Sequence, residues 1–165
     1  MIRDATPDDA LALIEMGKAY FDEAGLPDRF RDLGRPDIGF CPESFIHSCE
    51  AMSQRGILLI AEAKGEPVGM LGAFLSPALW NFRVGMAQEC WWYVRPDKRK
   101  GVSVALLRAY EDKAAERGIL ISGMIAEYGL RGDAVGRLYK AKDYVPAGTV
   151  YWRRLPPTAE QHEAA

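Results

Sequence analysis

The chain has 165 residues, of which 48% are hydrophobic and 27% charged, and its 21 Lys and Arg against 23 Asp and Glu give a formal net charge of −2. This length predicts one domain over residues 1–155, and the near balance of charge disfavours a nucleic-acid-binding module, which usually carries a basic excess. Apolar runs such as 57–61 are too short to span a bilayer, the three cysteines lack CxxC spacing, and two histidines disfavour a histidine-based metal site. Since no apolar leader precedes the charged residues at positions 3 and 4, the sequence predicts a cytoplasmic protein without a metal.

The first half of the chain alternates helical and strand-like patterns. Thr6 can cap a helix, Pro7 suits its first turn, and apolar residues then recur at helical spacing. Two apolar runs around the turn 64–67 predict a hairpin. The predicted elements are a strand over 2–5, a helix from 6 to about 25, a loop over 27–41, a helix over 42–56, strands over 57–61 and 68–75, and a longer connection over 76–86.

The second half continues with two further strand–helix pairs. Its predicted elements are strands over 88–94 and 119–124, helices over 102–117 and 133–142, a last strand over 148–154, and a polar, disordered tail over 156–165. The resulting order, β-α-α-β-β-β-α-β-α-β, lacks strict βαβ alternation. It therefore predicts an α+β (mixed α/β) fold with a central, mixed, mostly antiparallel twisted sheet flanked by helices.

A basic loop joins the predicted strand 88–94 to the next helix. Four of its six residues from Arg95 to Lys100 are cationic, and Gly101 follows them. Free backbone N–H groups at a helix N-terminus bind a phosphate or pyrophosphate, and a glycine lets the backbone approach that ligand closely. The same run fits a solvated surface loop or a nucleic-acid patch, although the net charge disfavours the latter.

The segment 98–103 resembles the pyrophosphate-binding motif of the GNAT superfamily of acyl-CoA-dependent N-acetyltransferases, which runs Arg/Gln-x-x-Gly-x-Gly/Ala. It departs from that motif at Lys98 and Ser103. The element order resembles the GNAT fold over residues 2–154, which implies acetyl-CoA as the cofactor and a primary amine of a small molecule or peptide as the acceptor. The resemblance implies a backbone contact to the cofactor from Val94 and a pyrophosphate cradle made of Lys98, Arg99, Lys100, Gly101, Val102 and Ser103.

A second landmark lies in the last predicted helix. The segment from Tyr139 to Tyr144 is similar to the family's Tyr-x-x-x-Gly-Phe, with Asp143 in place of the glycine. Asp tolerates the left-handed conformation that a helix end needs. The resemblance implies that Tyr139 protonates the leaving thiolate, whereas a tyrosine in this place also commonly packs in a core. Many members have a cofactor-contacting Asn where Gly132 stands here.

Glu89 is the candidate general base. It is the only acid between Glu66 and Asp97, and it lies on the strand that leads into the loop. Family members that use a base often place a Glu on this strand, which implies direct attack of the amine in a ternary complex. The alternative is an exposed Glu on an edge-like strand. A covalent route through Cys90 lacks a histidine partner at a recognisable spacing.

Several aromatic residues are candidates for contacts outside the cofactor site. Trp92 faces away from both of its neighbours by strand alternation. With Trp80 and Phe82, it is expected to contact the acceptor. Trp80 and Trp152 would also suit a homodimer interface. The Trp-rich strand, preceded in the sequence by the segment 77–82, resembles the corresponding part of GNAT proteins encoded by phages and prophages.

Two other functions stay open from the sequence. One is a non-catalytic acyl-CoA sensor or interaction module, which the departures at Lys98, Ser103 and Gly132 allow. The other is nucleic-acid binding through the basic loop, which predicts strongly salt-dependent affinity. No membrane partner is expected.

Overall fold

The structure, a computed structural model, describes residues 1–126, 132–148 and 150–155. Two short 3-10 helices, Pro7–Asp9 and Pro96–Lys98, precede the helices α1 and α4. None of the helices within these ranges is long and apolar enough to cross a bilayer. In chain order the elements are β1 (Ile2–Asp4), α1 (Ala10–Glu23), α2 (Leu26–Asp32), α3 (Pro42–Arg55), β2 (Gly56–Ala63), β3 (Glu66–Ala78), β4 (Asn81–Val94), α4 (Arg99–Glu116), β5 (Ile121–Gly123) and α5 (Gly132–Lys140).

The strands form one mixed sheet in the order β1-β2-β3-β4-β5. The first four pair antiparallel, and β5 pairs parallel to β4. Helices α4 and α5 pack on one face, whereas α1 and α3 pack on the other. Because both faces are covered, residues 56–61 of β2 are buried without a break. The predicted α+β fold with a mixed, mostly antiparallel sheet between helices is confirmed.

A partly buried ion pair attaches the first strand to the 3-10 helix that precedes α1. Both carboxylate oxygens of Asp9 accept hydrogen bonds of 2.7 Å from the guanidinium of Arg3, and the backbone N–H of Thr6 donates to the same carboxylate at 2.7 Å. Arg3 also contacts Glu62 of β2 at 2.6 Å. These hydrogen bonds hold the pKa of Asp9 at about 2, below its usual value of 3.8.

The prediction of a loop over 27–41 is wrong at its start, where the short helix α2 forms. Gly25, at φ 71°, turns the chain sharply after α1, and Pro27 falls within the first turn of α2, where its missing N–H costs nothing. The helix then ends at Asp32. The segment 27–41 is rich in turn-forming residues because α2 is short. The residues at the two ends of this helix therefore make up much of the segment.

The predicted connection over 76–86 is also wrong. Strands β3 and β4 both continue into it and form a long hairpin, with Leu79 and Trp80 at the turn. Neighbouring strands do not extend as far, since β2 reaches only Phe74 and β5 begins opposite Met86. The end of the hairpin therefore projects from the sheet.

The predicted last strand over 148–154 is wrong for its described residues. Residues 148 and 150–155 form no strand, and residue 149 lies outside the described ranges. The segment instead crosses to α2, where the ring of Trp152 stacks on Phe30 at 5.8 Å and Arg154 donates to the carbonyl of Gly34. Of the apolar side chains in this segment, Trp152 packs against a helix, whereas Val150 and Tyr151 are 79% and 89% exposed. The expected tail over 156–165 lies outside the described residues.

Candidate active site

The sheet opens between β4 and β5. Pairing of these parallel strands ends with Gln88 opposite Gly123. At the next residue the side chain of Glu89 replaces the backbone as partner, because its Oε2 accepts the N–H of Ile125 at 2.9 Å. Within the described residues, β4 has no strand partner on this side from Glu89 to Val94. Beyond this point the backbone polar groups of β4 on this side are available to a ligand bound between the two strands.

Glu89 is buried, with only 2% of its surface exposed. The alternative of an exposed edge position is therefore wrong. Its direction follows from strand alternation, because Ala87, two residues earlier, and Ala73, its partner in β3, both belong to the cluster under α4 and α5. Glu89 consequently points to the face covered by α4 and α5. The next residue, Cys90, is an extra one in β4, since Gly72 pairs with Trp91 and Ala73 with Glu89.

Tyr139 reaches the same place from α5. Its hydroxyl donates a hydrogen bond of 3.1 Å to the carbonyl of Ile125, so Glu89 and Tyr139 bind the two backbone groups of one residue. Its ring is 6.2 Å from that of Trp92 at an interplanar angle of 27°. Burial raises the pKa of Tyr139 well above 10, and the negative charge of Glu89 raises it further. The phenol therefore keeps its proton at neutral pH.

The residues after Tyr139 fold as expected for a helix end. Asp143 adopts φ 64°, the left-handed conformation predicted for it. The ring of Tyr144 lies 5.4 Å from Tyr139, and its hydroxyl donates to Glu111 of α4 at 3.0 Å. Tyr144 therefore attaches the end of α5 to α4 and fixes one side of the Tyr139 ring.

The backbone of Val94 faces the opening. The N–H of Arg95 donates to the carbonyl of Val68 in β3 at 2.9 Å. Because antiparallel residues alternate in direction, the backbone groups of the preceding residue, Val94, point away from β3. Its carbonyl accepts a 2.9 Å hydrogen bond from Nε of Arg99. The N–H of Val94 is thus the group of this residue that is directed toward a ligand.

The basic loop and the start of α4 form a bend. Lys100 has ψ 109° and Gly101 has φ 83°, so the regular turns of α4 begin at Val102. Lys98 pairs with its neighbour Asp97 at 2.9 Å. Lys100 is exposed and makes no ion pair with the described residues. The helix N-terminus, the left-handed glycine and a lysine directed to solvent are therefore adjacent.

The cationic group of Arg99 is turned away from this bend. Its Nη2 contacts both carboxylate oxygens of Glu23, at 2.5 and 2.6 Å. With Nε on Val94, the guanidinium binds protein groups on two sides. Of the cationic side chains in the motif, Arg99 is thus the one engaged in the fold itself.

Trp92 lies beside Tyr139, but Trp80 and Phe82 do not reach the site. They lie at the projecting end of the hairpin and are 84% and 81% exposed. Phe82 precedes Glu89 by seven residues on β4, which corresponds to roughly 20 Å along a strand. The structure therefore brings together Glu89, Trp92 and Tyr139, and places the other two aromatic side chains at a distance.

A sequence profile of the acetyltransferase (GNAT) family matches residues 20–140, which run from the end of α1 to the end of α5 and include the whole candidate site. The chain belongs to this family. The predicted resemblance to GNAT proteins and the prediction of an acetyltransferase are confirmed. Comparison with curated protein sequences gave no match.

Solved structures share the fold of this GNAT chain. A transcriptional regulator from Bacillus halodurans C-125 has a TM-score of 0.69 at 20% identity, with 94% of this chain and 99% of that chain covered. A ribosomal-protein-alanine N-acetyltransferase from Brucella melitensis biovar Abortus 2308 has a TM-score of 0.68 at 20% identity, with the same coverage. A predicted acetyltransferase with acetyl-CoA from Clostridium acetobutylicum has a TM-score of 0.67 at 17% identity, with 94% and 95% covered.

Two contributors to the site of this GNAT chain were missed by sequence reasoning. Ile125 acts through its backbone, which no residue-type pattern reports. Glu23 is 76 residues from its partner Arg99. A charge at the end of α1 is ordinary for a helix, so the sequence holds no signal for this pair.

Proposed function

We propose that this protein transfers the acetyl group of acetyl-CoA to a primary amine of a small molecule or peptide, by direct attack within a ternary complex. The observation that carries the proposal is the opening between β4 and β5, where Glu89 and Tyr139 meet on the backbone of Ile125. Family membership supports the acyl-CoA donor. The basic loop directly follows the same strand.

The cofactor would lie along the open side of β4. Backbone N–H groups at the start of α4 would receive the pyrophosphate, with Lys98, Lys100 and Ser103 around it and Gly101 allowing close approach. Val102 begins the regular helix and contributes its N–H. The N–H of Val94 would donate to the pantetheine or to the thioester oxygen, where it stabilises the developing oxyanion. Arg99 would hold this backbone by its hydrogen bond to the carbonyl of Val94, and its guanidinium would not contact the phosphates.

Two side chains would handle the protons. An alkylamine is mostly protonated at neutral pH and must lose a proton before it attacks, which is the role proposed for Glu89. Tyr139 would donate its phenolic hydrogen to the leaving sulfur, since its raised pKa keeps it protonated. To do so, the hydroxyl would break its hydrogen bond to the carbonyl of Ile125 and donate to the sulfur of the ligand instead.

Direct transfer is favoured over an acyl-cysteine because of where Cys90 lies. It packs with the cluster under α1 and α3, on the other face of the sheet from Glu89 and Tyr139. Burial also raises the pKa of its thiol, which lowers the share of the nucleophilic thiolate. Cys90→Ala is therefore expected to retain turnover, and loss of turnover in a folded variant would favour the covalent route.

Trp92 is proposed as part of the acceptor wall, because it stacks on Tyr139. The hairpin positions of Trp80 and Phe82 do not support the same role, and their contact with an acceptor stays a prediction. The homodimer, the cytoplasmic location and the phage-type subgroup likewise stay predictions.

A thermal-shift titration with acetyl-CoA, compared with ATP and a DNA duplex, tests the cofactor. At about 100 times Kd a ligand adds roughly 2.7 kcal/mol to the free energy of unfolding, or about 5–10 °C in Tm for a chain of this size. Release of CoA thiol would then be measured with polyamines, amino acids, aminoglycosides and peptides. Binding without turnover would favour the non-catalytic module, and a larger shift with DNA would refute the acyl-CoA site.

A further inference from the structure

The last residue of α1 makes an ion pair with the first residue of α4. Nη2 of Arg99 lies 2.5 and 2.6 Å from the two carboxylate oxygens of Glu23. The two side chains are 29% and 32% exposed, so the pair is partly shielded from water. Such charge-assisted hydrogen bonds are stronger than those between neutral groups.

The same guanidinium has two further contacts at the end of β4. Nε donates to the carbonyl of Val94 at 2.9 Å, and the guanidinium carbon lies 5.9 Å from the centre of the Tyr93 ring. Arg99 therefore joins α1, the last residues of β4 and the loop. A planar group with donors on two edges suits this bridge, and a lysine would not reproduce it.

The other cations of the loop do not form such a bridge. Arg95 and Lys98 pair with Asp97 inside the loop, and about half of each side chain is exposed. The Glu23 pair is thus the side-chain contact that joins the basic loop to the helices on the other side of the sheet, within the described residues.

We propose that Glu23 is a positioning residue of the cofactor site, which holds Arg99 and through it the backbone of Val94 and the basic loop. The proposal rests on the proposed function, because it takes the loop to bind the CoA phosphates. It also makes α1 part of the cofactor site. Gly25 and α2 follow Glu23 directly, so ordering of the loop by acetyl-CoA is transmitted to residues 20–33.

The sign of one substitution separates positioning from plain electrostatics. Neutralising an acid near a bound polyanion should tighten binding, by Coulomb's law. If Glu23 positions the loop, Glu23→Gln instead raises the Kd for acetyl-CoA, by about threefold or more, because Arg99 loses its charged partner. The matched control is Asp22→Asn, which removes the same charge one residue earlier from a side chain that pairs with Lys18 and not with Arg99.

The two Kd values are measured by calorimetry on variants whose Tm shows that they are folded. An increase for Glu23→Gln together with an unchanged or lower Kd for Asp22→Asn supports positioning. An unchanged or lower Kd for Glu23→Gln overturns it, because the carboxylate would then compete with the phosphates or have no influence on them.

Hydrogen exchange tests the link to α1. Acetyl-CoA is expected to protect residues 98–106 and 20–33 in the natural protein, and to protect only 98–106 in Glu23→Gln. Protection of 98–106 alone in the natural protein would overturn the link and leave the proposed function intact. Failure of the natural protein to bind acetyl-CoA would instead overturn the proposed function itself.

Discussion

Gly101 separates the cost of backbone strain from the cost of blocking a ligand. It has φ 83°, and none of the described heavy atoms lies within 4 Å of the position that a Cβ would occupy. Gly101→Ala therefore meets no steric conflict within the protein. A positive φ costs a residue with a Cβ roughly 1–3 kcal/mol, which lowers the Tm by about 2–12 °C in a chain of this size.

The chain provides a matched control in Gly65, in the turn between β2 and β3. It also has φ 83° and open space around its Cβ position among the described atoms. Gly65→Ala should therefore also lower the Tm, because a positive φ strains any residue that has a Cβ. Only the latter places a methyl group where the phosphates would approach, so we expect its Kd for acetyl-CoA to rise at least about tenfold, or ~1.4 kcal/mol.

Calorimetric titration gives Kd, and thermal unfolding gives Tm, for both variants. A lower Tm in both variants with a change of Kd in Gly101→Ala alone would support the cradle. An unchanged Kd in Gly101→Ala would refute it, because the open space above the glycine would then be plain solvent. A rise of Kd in both variants would mean that loss of stability, and not contact, weakens binding.

Three further substitutions test the reacting groups and the fold. Glu89→Gln keeps an acceptor for the N–H of Ile125 and is expected to lower kcat about 10²- to 10⁴-fold at an unchanged Kd for acetyl-CoA; an unchanged rate would remove Glu89 from the mechanism. Tyr139→Phe should slow turnover and cost only about 1 kcal/mol of stability, whereas a lower Tm with full activity would favour a packing role. Because the pKa of Asp9 falls from 3.8 to about 2 on folding, its charge adds about 2 kcal/mol to the free energy of unfolding above pH 4, and this contribution is lost as the pH falls through 2. In urea unfolding, Asp9→Asn should therefore be less stable at pH 7, and the difference should shrink towards pH 2; a difference independent of pH would contradict this origin.

Local patterns predicted most of the elements because each depends on a few neighbouring residues. Capping and turn chemistry predict the two helix starts at Thr6 and Pro42 and the hairpin turn at Gly65. The regular turns of α4 begin at Val102, where the sequence predicts the start of this helix. The projecting hairpin was not predicted, because Pro77 in a strand normally marks an edge or an end, and here no other strand of the described residues pairs with the hairpin at that point.

Contacts between distant segments could not be predicted in the same way. The stacking of Trp152 on Phe30 and the pairing of Glu23 with Arg99 join residues that share no local pattern. The energies of these two contacts depend on how α1 and α2 pack in the folded protein, and local sequence patterns do not determine that packing. The candidate base was predicted from its strand, but its partner Ile125 was not.

The site depends on the extra residue in β4. In a regular strand, residues 89 and 92 would lie on opposite faces, because side chains alternate. The bulge at Cys90 places Glu89 and Trp92 on one face, under α4 and α5, where Tyr139 stacks on Trp92 and binds the same residue, Ile125, as Glu89 does. It also coincides with the point where β5 leaves β4, so the carboxylate fills the place of a strand partner. One inserted residue thus places the candidate base on the same face as Trp92, at the point where the opening that would admit a cofactor begins.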